Sequence, residues 1–364
     1  MRRLADEQSG AVAVYIAILL TVLIGMAAFI VDMGDVMWER RMLQNSADAA
    51  ALAVAIDCSQ GDCGDFADTA DTFADANNRR GAFVESITGP NGGALTPEGG
   101  QVTVVTRTGS TEGAGRLPQF FSGILGQTQG LQTGARATAI WGVPNLVAEA
   151  SNLTVSICNF ESLTGLDWND GQPDLMQLPD IAGAANLVAG GNVGGTIYYQ
   201  DAQGKFVDDT CKGPPMFYTD PADAEDDLPA TFGWLQSDGC TVEVTTDSDG
   251  DWVDAKPGGA AGGETACIKD LVDQDPPVAV LPVFVGIRED NNGTPQEYRV
   301  VAPAGFYFTG YRLAGAGGPI SYPQGAPPCK GQERCIRGHF VRMSIDSEVV
   351  DDVSFGLTSV RLFE

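Results

Sequence analysis

The chain opens on a long uncharged stretch. From Ala11 to Val31 no residue carries a charge, and only Tyr15, Thr21 and Gly25 interrupt the apolar run. As a helix it would be about 31 Å long, one hydrocarbon thickness of a bilayer. Beyond Val31 the helical pattern continues. Met33, Met37, Ala47, Ala50 and Val54 recur at helical spacing, and residues 47–55 are rich in alanine. Neither Pro nor Gly intervenes between Asp35 and Cys58. One helix is therefore expected from about residue 12 to about residue 56. The segment DFADTADTFADANN, 65–78, sets Phe66, Ala70, Phe73 and Asn77 on one face with aspartates on the others, which predicts a second helix closed by Gly81.

Period-two alternation follows. QVTVVTR (101–107) and the stretch 133–141 predict strands, and PQFFSGIL within 117–125 predicts a short helix opened by Pro118. Pro144 marks a boundary. After it β-branched and aromatic runs at 152–158, 196–199, 242–245, 278–287, 297–301, 305–311 and 336–345 predict strands. Loops rich in Gly, Pro and Asp separate them at 212–229, 256–264 and 314–330. The expected class is α+β: a long N-terminal transmembrane helix continuing into a small α+β unit, then a β-rich disulfide-bonded domain. The divisions are a leader at 1–10, a transmembrane helix at 11–31, a helical stalk and α+β unit at 32–144, and a β-rich domain at 145–364.

Composition sharpens this picture. Lys+Arg 21 against Asp+Glu 48 gives a net charge of −27, which disfavours nucleic acid and anionic lipid head groups as partners. The apolar run exceeds the roughly 7–15 residues of a signal-peptide core, so an uncleaved anchor is expected although Gly25-Met26-Ala27 offers small residues. Arg2 and Arg3 precede the run, whereas Asp32 and Asp35 stand between it and Arg40 and Arg41. The positive-inside rule then puts the N-terminus in the cytoplasm and the bulk of the chain outside the cell membrane. Cys58, Cys63, Cys158, Cys211, Cys240, Cys267, Cys329 and Cys335 all follow the run. An oxidising side favours pairing, and sequential neighbours are the expected partners: 58–63, 158–211, 240–267 and 329–335. Within the helix, Gly10, Ala13, Ala17 and Gly25 are small enough to admit a packed neighbour helix.

Candidate chemistry is sparse. TDSDGDWVD carries Asp247, Asp249, Asp251 and Asp254, hard oxygen ligands suited to calcium. The EF-hand template fails, because Trp252 stands where its glycine belongs, and a solvated acidic turn is the simpler reading. No other cofactor is expected. The one histidine, His339, lies in a strand-like run without an evident partner, and no nucleophile elbow or phosphate loop is present. An enzyme is not expected. GFYFTGYR offers Phe306, Tyr307, Phe308 and Tyr311 either as a ligand platform or, more simply, as strand core.

The order SGAVAV, an apolar run ending in AAFIVDMGD, then ERR and LQNSADAAALAVA resembles the N-terminal module of Flp pilus-assembly TadE/TadG-like proteins of the tight-adherence system. TGARATAIWGVP, ATFGWLQSDGC, VAVLPVFV, APAGFYFTGYRL and CIRGHFVRM resemble later parts of TadG-like proteins of actinobacterial type. The resemblance implies a pilin-like helix and head, and partners among other Tad/Flp assembly membrane proteins or pilins. Pilins of this class are cut after a glycine followed five residues on by glutamate. Here Gly10 is followed at that distance by Tyr15. The departure favours a membrane-retained accessory protein of pilus assembly or anchoring over a stacked subunit. The alternative is a membrane-anchored surface adhesin or ligand-binding module that uses calcium.

Overall fold

The computed structural model describes residues 3–61, 63–89, 95–96, 99–110, 113–114, 132–168, 173–200, 210–217, 227–237, 239–247, 249–256, 263–313, 320–321, 327–345, 347–350 and 354–363. The expected short helix at 117–125 lies outside them. One unbroken helix, α1 (Arg3–Ser59), takes in the whole apolar run and the alanine-rich stretch behind it. Its two halves meet different surroundings. Tyr15, Leu19, Phe29 and Ile30 are exposed, whereas Glu39, Leu43, Ala47, Ala50 and Val54 are fully buried.

The buried half packs on the first of two large sheets. Its flanking elements are α2 (Phe66–Ala76), β1 (Ala82–Thr88), β2 (Gly100–Ser110), β3 (Gly113–Ala114) and β4 (Gly134–Pro144). Leu43, Ala47, Ala50, Ala51 and Val54 of α1 form one core with Val102 and Val104 of β2 and with Ala137, Ala139 and Trp141 of β4. Alanine at the contact lets the helix sit close to the sheet. The same rule rotates α2 away from its expected face. It buries Ala70 and Ala74 and leaves Phe73 exposed, because a phenylalanine would hold α2 off its neighbours. The strand β1, antiparallel to β2 with a bulge between Val84 and Ser86, is an addition to the expected set.

The second half of the chain begins with β5 (Leu146–Ser151), β6 (Leu153–Ser156), α3 (Ile157–Thr164) and α4 (Ile181–Ala189). Then come β7 (Gly195–Gln200), β8 (Thr210–Cys211), β9 (Leu228–Pro229), β10 (Phe232–Trp234), β11 (Thr241–Thr245), β12 (Asp251–Asp254) and α5 (Gly263–Val272). It ends with β13 (Val278–Glu289), β14 (Pro295–Arg312), β15 (Ile320–Ser321), β16 (Arg334–Val341), β17 (Met343–Ile345), β18 (Val349–Val350) and β19 (Leu357–Phe363). The second large sheet runs β10-β6-β13-β14-β16-β7, with β12 and β15 also on β14. The two strands expected at 297–301 and 305–311 are one. Pro303 does not break β14, because it faces Pro282 of β13 across the antiparallel register, where neither residue has an N–H to pair.

The expected strand at 152–158 turns at Ser156, whose side chain accepts the Cys158 N–H at 3.2 Å and caps α3. Gly165, at φ 74°, ends that helix in a left-handed conformation. The turn aims Phe160 into an aromatic core with Phe340 at 4.6 Å, Phe355 at 5.0 Å and Trp168 at 5.2 Å between ring centroids. Phe306, Phe308 and Tyr311 are buried there too, so the GFYFTGYR aromatics are core, not a platform.

Disulfides join Cys58 to Cys63, Cys158 to Cys211, Cys240 to Cys267 and Cys329 to Cys335. The chain then recrosses Pro144. The first sheet has the order β1-β2-β4-β19-β17, so its fourth and fifth strands come from the C-terminal end. Arg342 fastens the crossing: it donates to the carbonyls of Leu178 and Gln60, and Ser59 Oγ lies 3.4 Å from Ser344 Oγ.

Candidate functional site at the helix–head junction

Where α1 passes from exposed to buried, three of its residues meet the turn that joins α2 to β1. Asp35 receives both terminal nitrogens of Arg80, at 2.9 and 2.7 Å. The same guanidinium lies 4.9 Å from the Trp38 ring centroid and 3.7 Å from Glu39 Oε2. Glu39 is fully buried, and its Oε1 accepts from Asn78 Nδ2 at 3.1 Å and Thr108 Oγ1 at 3.2 Å. One turn further, Thr106 Oγ1 donates to the Leu43 carbonyl at 3.0 Å.

The turn itself is built locally. Asn78 Oδ1 accepts the Arg80 N–H at 2.9 Å, and the Gly81 N–H donates to the Asn78 carbonyl. That arrangement presents Arg80 to α1. The Arg80 hydrogen bonds hold the Asp35 carboxyl below its usual value, against a smaller opposing effect of burial. Arg80 is raised in turn, chiefly by Asp35. A buried carboxylate with two neutral donors and a nearby cation fixes register more than it adds stability.

The singled-out residues fall elsewhere. Gly10, Ala13, Ala17 and Gly25 lie on α1; Ala13 and Ala17 are exposed, and a Cβ on Gly25 would meet nothing within 4 Å. The four aspartates each have a local setting. Asp247 Oδ1 accepts the Asp249 N–H at 2.9 Å, and Asp251 Oδ2 accepts from Thr245 Oγ1 at 2.7 Å. The Asp249 carbonyl accepts from Arg299, and Asp254 is exposed on β12. Among the described residues no three His, Cys, Asp or Glu side chains come together as a metal site would need. His339 Nε2 lies 3.0 Å from the Asn192 carbonyl oxygen.

Glu39 was not singled out in the sequence, yet the signal was present. Glu39, Leu43, Ala47, Ala50 and Val54 form one stripe at spacings of three and four, so an acid occupies a core position. Arg80 and Asn78 left no comparable mark, because they reach the site through a turn.

These features define a class: a protein with one long helix whose apolar half is bare and whose other half is built into a disulfide-bonded head. Among the described residues this is the one helix long and apolar enough to cross a membrane. Residues 10–57 match the model of the family described as "Putative Flp pilus-assembly TadE/G-like". The match covers α1 from Gly10 to Asp57, including Asp35 and Glu39 but not Arg80. No curated protein and no solved structure matches the chain.

Proposed function

We propose that this protein is a membrane-anchored, non-enzymatic accessory of Flp/Tad pilus assembly or pilus anchoring, with its N-terminus in the cytoplasm and its head outside. The observation that carries the reading is the family match on a helix that runs from a bare apolar half into a buried half without a break. Two further observations support it. Four disulfides favour an oxidising compartment for the head. Tyr15, five residues after Gly10, favours retention in the membrane over processing into a filament subunit.

The work would be mechanical. A helix that transmits no bend between bilayer and head holds the head at a set height and rotation, and the Asp35–Glu39–Arg80 cluster fixes that setting. Partners would be other membrane proteins or pilins of the system, met through the small-residue face of α1 or through the head. The test is deletion and complementation. Cells lacking the protein should lose assembled pili, regain them with the intact chain, and fail to regain them with the head tethered by an unrelated apolar helix. Normal piliation in the deletion strain would overturn the reading.

A further inference from the structure

Beside the junction, between α1 and the β2–β4 pair, three arginines converge. Arg40 and Gln44 from α1, Val105 and Arg107 from β2, and Gly134, Ala135 and Arg136 from β4 line an open cleft of about 430 Å³. Arg107 pairs with Gly134 and Arg136 with Val105 in the β2–β4 register, so the two arginines are diagonal neighbours on one face. Two like charges at that separation repel unless something between them is negative.

In a chain of net charge −27, acids to neutralise these cations are plentiful, yet few are used here. Glu85 meets Arg107 Nε at 2.7 Å. Asp48 is taken by Gln44 Nε2 at 2.8 Å, and that same nitrogen donates to the Arg136 carbonyl at 3.0 Å, fixing the Arg136 backbone. Among the described residues Arg40 and Arg136 carry no ion pair, and both are exposed. The floor is kept low by Gly134, where a Cβ would stand 2.9 Å from the Thr106 carbonyl oxygen and 3.6 Å from Arg107 Cγ. Every basic residue before Lys205 is an arginine. The planar fork of arginine suits phosphate oxygens in pairs, which a lysine ammonium does not.

The geometry points to a binding site for a phosphate ester, held by Arg40, Arg107 and Arg136. This inference does not depend on the pilus reading. Two sources have that chemistry, a phospholipid headgroup and a soluble phosphate. Arg40 lies nine residues beyond Val31, about 13 Å along α1, and helical side chains lean toward the N-terminus, here toward the apolar run. The headgroup zone occupies roughly 5–8 Å beyond the hydrocarbon, within reach of a long side chain at Arg40. Arg136 sits at the level of Gln44, one turn further out.

The test uses the full chain in lipid nanodiscs and reads thermal stability. In purely zwitterionic discs, inorganic phosphate should raise the melting temperature saturably, while chloride at equal ionic strength does not. R40Q and R136Q, at exposed positions, should fold as the parent does and weaken the response about tenfold each. R136K should fall between, since it keeps charge without the fork. E85Q, which frees Arg107, should strengthen it. In discs containing phosphatidylglycerol, a stabilisation that R40Q and R136Q remove, together with loss of the added-phosphate effect, assigns the site to a headgroup. A phosphate effect that persists there assigns it to a soluble ester. The inference is overturned if neither phosphate nor phosphatidylglycerol produces a stabilisation that R40Q or R136Q reduces.

Discussion

The two sheets of this protein are stabilised by opposite means. The first closes on α1 with Leu43, Ala47, Ala50 and Val54 against Val102, Val104 and Ala139, and one short disulfide ends its helix. The second has a core of large rings around Phe160, Trp168, Phe306, Phe340 and Phe355, and three disulfides span its loops. Small side chains give a close, rotationally fixed seat for a helix that must continue elsewhere. Large ones fill a body whose only constraint is itself. The first unit is built for orientation and the second for bulk.

Predicted effects follow that division. The largest is expected for Phe160→Ala, which opens a void among three rings and should cost about 3–5 kcal/mol in denaturant unfolding of the full chain in detergent. Hydrogen exchange should show the loss in β13, β14 and β16 before it reaches α1 and β4. Equal loss in both sheets would mean that the two cores do not unfold separately. Replacing the Cys158–Cys211 pair by serine removes a closure of 53 residues and should cost about 4 kcal/mol, against about 2 for the Cys58–Cys63 pair, which closes only 5. Next comes Ala50→Leu, which wedges α1 from the first sheet at about 1–3 kcal/mol and should loosen the junction without touching the second core.

The smallest effect is on pH dependence, and it differs in sign between the units. Asp35 is held below its usual value by Arg80, so its contribution is present above the unfolded carboxylate value, about 4, and is lost as pH falls through the lower folded value. Glu161, on α3, is raised by burial, partly offset by the hydrogen bond its carboxylate accepts from the Trp168 N–H. Its contribution is present at low pH and is lost as pH rises through the raised folded value. Corrected for the intrinsic exchange rate, amide protection at residues 78–81 should therefore fall on acidification, while that at 160–168 should rise. Parallel responses would argue against the two assignments.

Much of α1 was legible because its two signals, an uncharged run and an alanine stripe, are local and long. The strands at 242–245, 278–287 and 196–199 were legible for the same reason. The misses have physical causes. Ile157 and Cys158 read as strand, but the Ser156 cap and Gly165 decide for helix. The runs 297–301 and 305–311 read as two strands, but Pro303 between them faces a second proline, so the ladder continues through it. The place of β19 beside β4 depends on a contact across more than two hundred residues, which no local pattern encodes. At the junction, Glu39 could be found from its stripe, whereas Arg80 needed the fold.

The proposed function requires α1 to cross the bilayer uncut and to carry the head outside the cell. It is tested most directly by labelling intact cells with a membrane-impermeant maleimide, using Ser9→Cys and, in the exposed turn before β14, Asn291→Cys. Asn291→Cys should be labelled without breaking the cells and Ser9→Cys only after permeabilisation, and the mature chain should retain residues 11–31. The reverse labelling pattern, or a mature chain that begins beyond Val31, would contradict it.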